Sequence, residues 1–283
     1  VRILITGAGG QVGIATVALL ATESHHEVLA LARSDLDLAD RDRVEQVVGT
    51  WVPDAVVNCA AMTNVDGCEV DPVAAYHANA MGVRNLAVAC DRVGAHVVHV
   101  STDYVFDGAS DRPYHEWDAV NPISHYGRSK LGGEAELERH CGSWSIARTS
   151  WVFGNRGADF VSWVLGAFER GELTGLIDDQ TGGPTYAPDL ARVLVRFASE
   201  RRAGLFHVAN GGECSRHGFG VAALELRGLD ANAIAKLATP DLPRPAARPA
   251  YSVLDDLGLR LAGIEPLRAW REALREYMEG VDE

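Results

Sequence analysis

Three side chains carry the chemistry this sequence could do: Thr102, Tyr126 and Lys130. Thr102 follows an apolar, β-branched run, A-H-V-V-H-V-S over 95–101, that reads as a strand. Ligands of open α/β sheets bind at the carboxyl ends of strands, where a threonine hydroxyl can hydrogen-bond a carbonyl oxygen. Tyr126 and Lys130 come after a turn-rich loop containing Asn121-Pro122, in S-H-Y-G-R-S-K-L-G-G-E. Four-residue spacing puts both on one face of a helix. An ammonium beside a phenol favours the phenolate, which draws a tyrosine pKa from about 10 toward neutrality and makes a general acid usable near neutral pH. Together the three would polarise one oxygen and protonate it while a hydride arrives at its carbon. Singly they are bland: a turn cap, half-buried packing and a surface charge.

A hydride needs a carrier, and the start of the chain has a loop for one. The run R-I-L-I-T (2–6) reads as a strand, G-A-G-G-Q-V-G follows, and I-A-T-V-A-L-L-A reads as a helix. Gly7, Gly10 and Gly13 suit a strand that must turn sharply into a helix while its backbone approaches a pyrophosphate. The helix N-terminus then offers free N–H groups to the anion. The context of strand, glycine loop and helix is what separates this pattern from a glycine-rich turn. Arg33-Ser34 closes the second strand where an acid would meet a ribose hydroxyl, and an arginine there accepts a 2′-phosphate. NADPH is therefore the expected cofactor, with NADH possible. The alternative is that Arg33 is a solvated loop charge.

These groups need a sheet to hold them. Strand-like runs recur at 27–32 and 54–58, and 74–93 has helical periodicity. Strands alternating with helices predict a doubly wound, mostly parallel α/β sheet covered on both faces. In the second half, 189–198 reads as an amphipathic helix and 204–210 as a strand, followed by the Pro/Arg-rich L-P-R-P-A-A-R-P-A-Y-S over 242–252. The expected division is a dinucleotide-binding Rossmann domain (1–150 plus about 186–210) and a smaller, discontinuous substrate-binding lobe (about 151–185 plus 211–283).

Bulk properties narrow the class. The 283 residues are 47% hydrophobic and 23% charged, as in ordinary globular proteins. No apolar run approaches the roughly 18 residues of a membrane span. The opening V-R-I-L-I-T-G enters a strand directly, so no secretory signal is expected. Cys59, Cys68, Cys90, Cys141 and Cys214 lack C-x-x-C spacing, which argues for reduced thiols in the cytoplasm rather than a zinc site or disulfides. The net charge of −13 disfavours nonspecific nucleic-acid binding.

The glycine loop, Asn58-Cys59-Ala60-Ala61, Asn79, Thr102 and Tyr126-x-x-x-Lys130 resemble an extended short-chain dehydrogenase/reductase. A-A-M-T-N-V-D-G-C-E, V-S-T-D-Y-V-F-D-G, R-T-S-W-V-F-G, D-D-Q-T-G-G-P-T-Y-A-P-D-L-A and R-P-A-Y-S-V-L resemble its dTDP-4-dehydrorhamnose reductase branch. The tail L-A-G-I-E-P-L-R-A-W-R-E-A-L is similar to actinobacterial members. The resemblance covers nearly the whole chain. It implies NAD(P)H-dependent reduction of the C4 ketone of dTDP-4-dehydro-L-rhamnose, a step of dTDP-rhamnose and cell wall polysaccharide synthesis. Tyr126 would donate the proton, Lys130 would support it and hold the nicotinamide ribose, and Thr102 would bind the ketone oxygen. Gln11, Val12, Asp37, Leu38, Cys59, Ala60, Ala61 and Asn79 would join the glycines and Arg33 at the cofactor. Thr63, Val65, Asp103, Tyr104 and Trp151 would line the sugar pocket. Arg248 is the candidate for the diphosphate, since arginine suits phosphate, with a loop charge as its alternative.

Two departures stand out. Gly132 replaces the more usual alanine, at roughly 0.5–1 kcal/mol in a helix. Some members dimerise through magnesium bridged by glutamates, but Ala15 and Pro188 occupy two of those positions and cannot ligate a hard cation. No structural metal and a monomer or weak homodimer are expected. A 4,6-dehydratase would want Asp-Glu where this chain has Asp103-Tyr104. A 4-ketoreductase of another dTDP-deoxysugar stays open. So does a noncatalytic subunit like the regulatory subunit of methionine adenosyltransferase, though the retained Thr102, Tyr126 and Lys130 rank it lower.

Overall fold

The apolar runs assemble into one parallel sheet in a computed structural model that describes residues 1–23, 25–154 and 159–280. Its strands are β1 (Arg2–Thr6), β2 (Glu27–Leu31), β3 (Ala55–Asn58), β4 (His96–Thr102), β5 (Trp144–Thr149) and β6 (Gly204–His207). They lie in the order β2-β1-β3-β4-β5-β6, and every neighbouring pair is parallel. The chain order reverses between β1 and β3, which opens a crevice at their carboxyl ends.

Alternation along each strand divides the core between two helix layers. Ile3, Ile5, Val57 and Val98 face α1 (Gln11–Ala21) and a helix at Ala187–Glu200, meeting Leu20, Leu190, Leu194 and Phe197. Leu4, Val56 and Val97 face the opposite layer, α2 (Arg41–Trp51), α3 (Gly82–Val93) and α4 (His125–His140), meeting Val44, Val48, Leu86 and Leu137. Each fully buried aliphatic contributes about 1.5–3 kcal/mol relative to exposure. The doubly wound sheet matches the sequence expectation.

The elements differ from the sequence in three places. β5, W-S-I-A-R-T, was not expected as a strand, because Ser145, Arg148 and Thr149 interrupt its apolar character although all are buried. The helical stretch 74–93 is broken: a helix at Pro72–Tyr76 passes through a wide π-turn at His77–Met81 before α3. That turn swings Asn79 inward, where its amide serves neighbouring loops. The last strand ends at His207, short of residue 210.

Further elements include α5 (Phe160–Glu169), α6 (Ala187–Glu200), α7 (Arg216–Leu226) and α8 (Trp270–Glu279), with several two-stranded pairs. Phe153, Phe160, Phe219, Trp270 and Tyr277 form an aromatic core among them. Late in the chain, Leu259 and Ile264 return to the core beneath the sheet. Glu116 fastens them there, accepting from the N–H groups of His207 (3.0 Å) and Gly258 (3.0 Å). Among the described residues no helix is long and apolar enough to cross a membrane.

Candidate active site

The glycine loop is compressed between β3 and its own helix. Gly7 has φ +70°, and a Cβ on it would sit 2.5 Å from the Ala60 nitrogen. A Cβ on Gly13 would overlap the Gly7 carbonyl oxygen. Gly10 is the N-cap of α1, with no side-chain cap and no acidic residue in the first turn. The positive end of the helix is left for an anion, the donor set a dinucleotide's diphosphate needs. Beside it a groove of about 180 Å³ is lined by Gly7, Gly10, Arg33, Asp37, Leu38, Cys59, Ala60 and Ala61. Arg33 is exposed there, 3.8 Å from Asp37. Most of the expected cofactor residues thus line this groove or the cleft it adjoins; Gly13 and Asn79 line neither. Asn79 is fully buried and spends its amide on Met62 N–H (2.7 Å), Met62 carbonyl (3.1 Å) and Ser129 Oγ (2.9 Å). It braces the wall of the groove instead of facing a ligand.

The groove runs into a cleft of about 400 Å³ that brings Gln11, Val12, Thr63, Val65, Thr102, Asp103, Tyr104, Tyr126, Lys130 and Trp151 together. Ser124 caps α4 through the Gly127 N–H (3.2 Å), which puts Tyr126 in the first turn and Lys130 one turn on. Glu134, one turn further, forms a buried bidentate pair with Arg148 of β5 (3.0 and 2.7 Å) and accepts from Ser101 of β4. α4 is therefore pinned along the strands that carry Thr102. Thr102 Oγ1 donates to Asp103 Oδ1 (3.0 Å) and accepts from Tyr104 N–H (3.2 Å).

The acid–base balance corrects the sequence expectation. Burial pushes the Tyr126 hydroxyl well above its ordinary range, and a hydrogen bond with Thr102 only partly opposes this. Burial outweighs the expected pull toward neutrality, and it also lowers Lys130 itself to about 8. Its Nζ donates to the Val100 carbonyl (2.8 Å). Tyr126 is thus a fully protonated phenol at neutral pH, the state a proton donor must occupy. Burial also raises Asp103 to about 6, against hydrogen bonds from Ser252 and Thr102 and the charge of Arg216.

Arg216 was missed by the sequence reading. Its guanidinium lies 3.5 Å over the Trp151 ring, and it hydrogen-bonds Tyr104. Trp151 holds φ +46°, a left-handed conformation that is costly for a bulky residue and gathers at functional sites. A side chain at Gly182 would overlap its indole, so the G-G of the D-D-Q-T-G-G-P motif is what lets the ring lie flat. One signal was present: Arg216 sits in the first turn of α7, where the helix dipole disfavours a cation. Beyond Arg216 the cleft continues into a cavity of about 690 Å³ under the Pro/Arg-rich loop, lined by Arg244 and Arg248. Arg248 pairs both nitrogens with Asp66 (2.6 and 2.8 Å), so any anion there shares it with a carboxylate.

A Cβ at Gly132 would sit 3.2 Å from that of Ala80, a tight but yielding contact away from the cleft. Ala15 and Pro188 lie on α1 and α6. Among the described residues, Glu23, His25 and His26 place potential metal-ligand atoms within 4.8 Å of one another, apart from the cleft.

The family described as RmlD substrate binding domain matches residues 1–282. The dTDP-4-dehydrorhamnose reductase of Mycobacterium tuberculosis is 42% identical over 279 residues, 96% of this chain and 91% of that protein. The crystal structure of a dTDP-4-dehydrorhamnose reductase from Clostridium acetobutylicum is similar with a TM-score of 0.96 and 39% identity, covering 100% of both chains. That of the Bacillus anthracis enzyme, in complex with NADP, is similar with a TM-score of 0.95 and 34% identity, covering 99% of both.

Proposed function

The chain belongs to the RmlD substrate binding domain family, and on that premise we propose that it reduces the C4 ketone of dTDP-4-dehydro-L-rhamnose to dTDP-L-rhamnose. The observation that carries this is Thr102 and Tyr126 side by side in a cleft continuous with a glycine-loop groove. Bound NADPH, or NADH in its place, supplies the hydride. Gly10, Gln11 and Val12 would seat the diphosphate on the helix N-terminus, and Arg33 would meet a 2′-phosphate. The Thr102 hydroxyl and the Tyr126 phenol hydrogen-bond the ketone oxygen, and Tyr126 gives it the proton as negative charge develops. Lys130 stands one turn behind to offset the resulting phenolate. Trp151, with Arg216 stacked over its ring, would border the sugar, with Thr63, Val65, Asp103 and Tyr104 around it. Arg216 and Arg248 face the larger cavity, which would receive the nucleoside diphosphate.

The division into a dinucleotide-binding part (1–150 plus about 186–210) and a substrate lobe (about 151–185 plus 211–283) belongs to the same proposal. So does action on a dTDP-sugar in the cytoplasm, by a monomer or weak homodimer without nucleic acid. The test is loss of reduced-nicotinamide absorbance with dTDP-4-dehydro-L-rhamnose. Tyr126→Phe is expected to keep NADPH binding and lose kcat by about 10²–10⁴-fold. A wild-type chain that binds NADPH and leaves this ketone intact, but reduces another dTDP-4-keto sugar, would reassign the substrate. One that reduces none of them would return the chain to a binding role.

A further inference from the structure

A buried line of polar groups runs behind the cleft, and donor counting fixes its hydrogens. Thr6 Oγ1 donates to Asn58 Oδ1 (2.7 Å), and the Ala60 N–H points at the same atom (3.1 Å). A backbone N–H must meet an acceptor, so that atom is the amide oxygen. The amide nitrogen of Asn58 therefore faces His99 Nδ1, 2.9 Å away, and donates to it. His99 is wholly buried, and burial holds it well below the usual histidine range, so its ring is neutral. With Nδ1 accepting, the single ring proton lies on Nε2. His99 Nε2 lies 3.3 Å from Lys130 Nζ.

An N–H aimed at a nitrogen needs a lone pair there; a neutral amine has one and an ammonium has none. We propose that His99, its tautomer locked by Asn58, is a positioning residue that biases Lys130 toward the neutral amine and makes the charge behind Tyr126 adjustable rather than fixed. For Lys130 to hold a proton, it must give up the His99 contact or force the ring into its other tautomer. That tautomer sets Nδ1–H against the Asn58 amide hydrogens, in an orientation Thr6 and Ala60 hold in place.

The other groups facing Lys130 offset its burial only in part. Cys59, from the loop after β3, is pushed up to about 12 by burial and stays a thiol. Glu134, one turn on along α4, is committed to Arg148 at both oxygens. Tyr126, one turn back, is a neutral phenol. Desolvation lowers Lys130 in the same direction. The consequence for catalysis rests on the reductase reading: the loss of the lysine charge would set an alkaline limb on reduction, at a pH governed by His99.

The bias itself can be tested without turnover. Lys130 and Lys236 are the only lysines in the sequence, so lysine labelled at Cε gives NMR titrations of one buried site and one exposed reference. Lys130 is expected to titrate below the ordinary lysine value of about 10.4, and in His99→Leu its midpoint should rise by ~1 unit. An unmoved Lys130 midpoint in folded His99→Leu would overturn the proposal. A wild-type measurement covers the case of a variant that fails to fold. Long-range nitrogen–proton correlation should show His99 protonated at Nε2 and bare at Nδ1; the opposite tautomer would also overturn it. Neither readout involves the sugar, so a wrong substrate leaves both intact.

Discussion

The proposed cofactor groove and the proposed substrate pocket adjoin at Gly10, Cys59 and Ala61 and are built by opposite means. The groove is made of backbone: Gly7 and Gly13 press against main-chain atoms, and the anion seat is a bare helix end. The pocket is made of side chains that hold one another, Arg216 on Trp151 and Arg248 on Asp66. A backbone site demands one residue type at each point and gains its charge from peptide dipoles. A side-chain site borrows full charges and must support each with a ring or a carboxylate. The first tolerates almost no substitution. The second degrades by degrees and can be retuned.

The largest effect should come from breaking the backbone side. Gly13→Ala drives a methyl into the Gly7 carbonyl, and α1 must shift or the chain must unfold. We expect NADPH affinity to fall by more than about 10²-fold, whereas Gly49→Ala, an exposed helical glycine with open space around it, should stabilise by about 0.5–1 kcal/mol. Paired titration calorimetry and thermal melts measure both. Equal, mild outcomes would erase the contrast between the two sides.

On the side-chain side, Arg216→Ala should lower kcat/KM for the sugar nucleotide by about 10–100-fold, the worth of one charge-assisted contact of ~1.5–3 kcal/mol. NADPH affinity should hold. A matching loss of NADPH binding would show that Arg216 serves both regions.

The smallest effect concerns Asp103. Its raised pKa means the folded chain keeps a proton that the unfolded chain releases between about 4 and about 6. That contribution to stability is present at low pH and lost as pH rises through about 6. Asp103→Asn should therefore melt higher than wild type above this window, by on the order of 1 kcal/mol or more, and flatten the pH dependence within it. Identical pH slopes in the two proteins would show that the carboxyl is solvated.

The same contrast explains what could be read in advance. Gly7, Gly10 and Gly13 lie in one short stretch, and Tyr126 and Lys130 share a helical face, so local spacing was enough to find them. Trp151, Gly182 and Arg216 belong together only after folding, and no local pattern links them. β5 escaped because Arg148 looks like a surface charge until Glu134 meets it inside. The direction of the Tyr126 shift was misjudged for a related reason. Spacing shows which charge is near, but burial, which here outweighs it, is a property of the whole packed chain.

The Glu134 carboxylate binds α4, β4 and β5 into a single truss, and Tyr126 and Thr102 ride on two of those members. Their spacing is then fixed within one rigid frame, whatever the lobe carrying Arg216 and the Pro/Arg-rich loop does. On the proposed reading, a change of sugar specificity made there would leave Tyr126 and Thr102 in register.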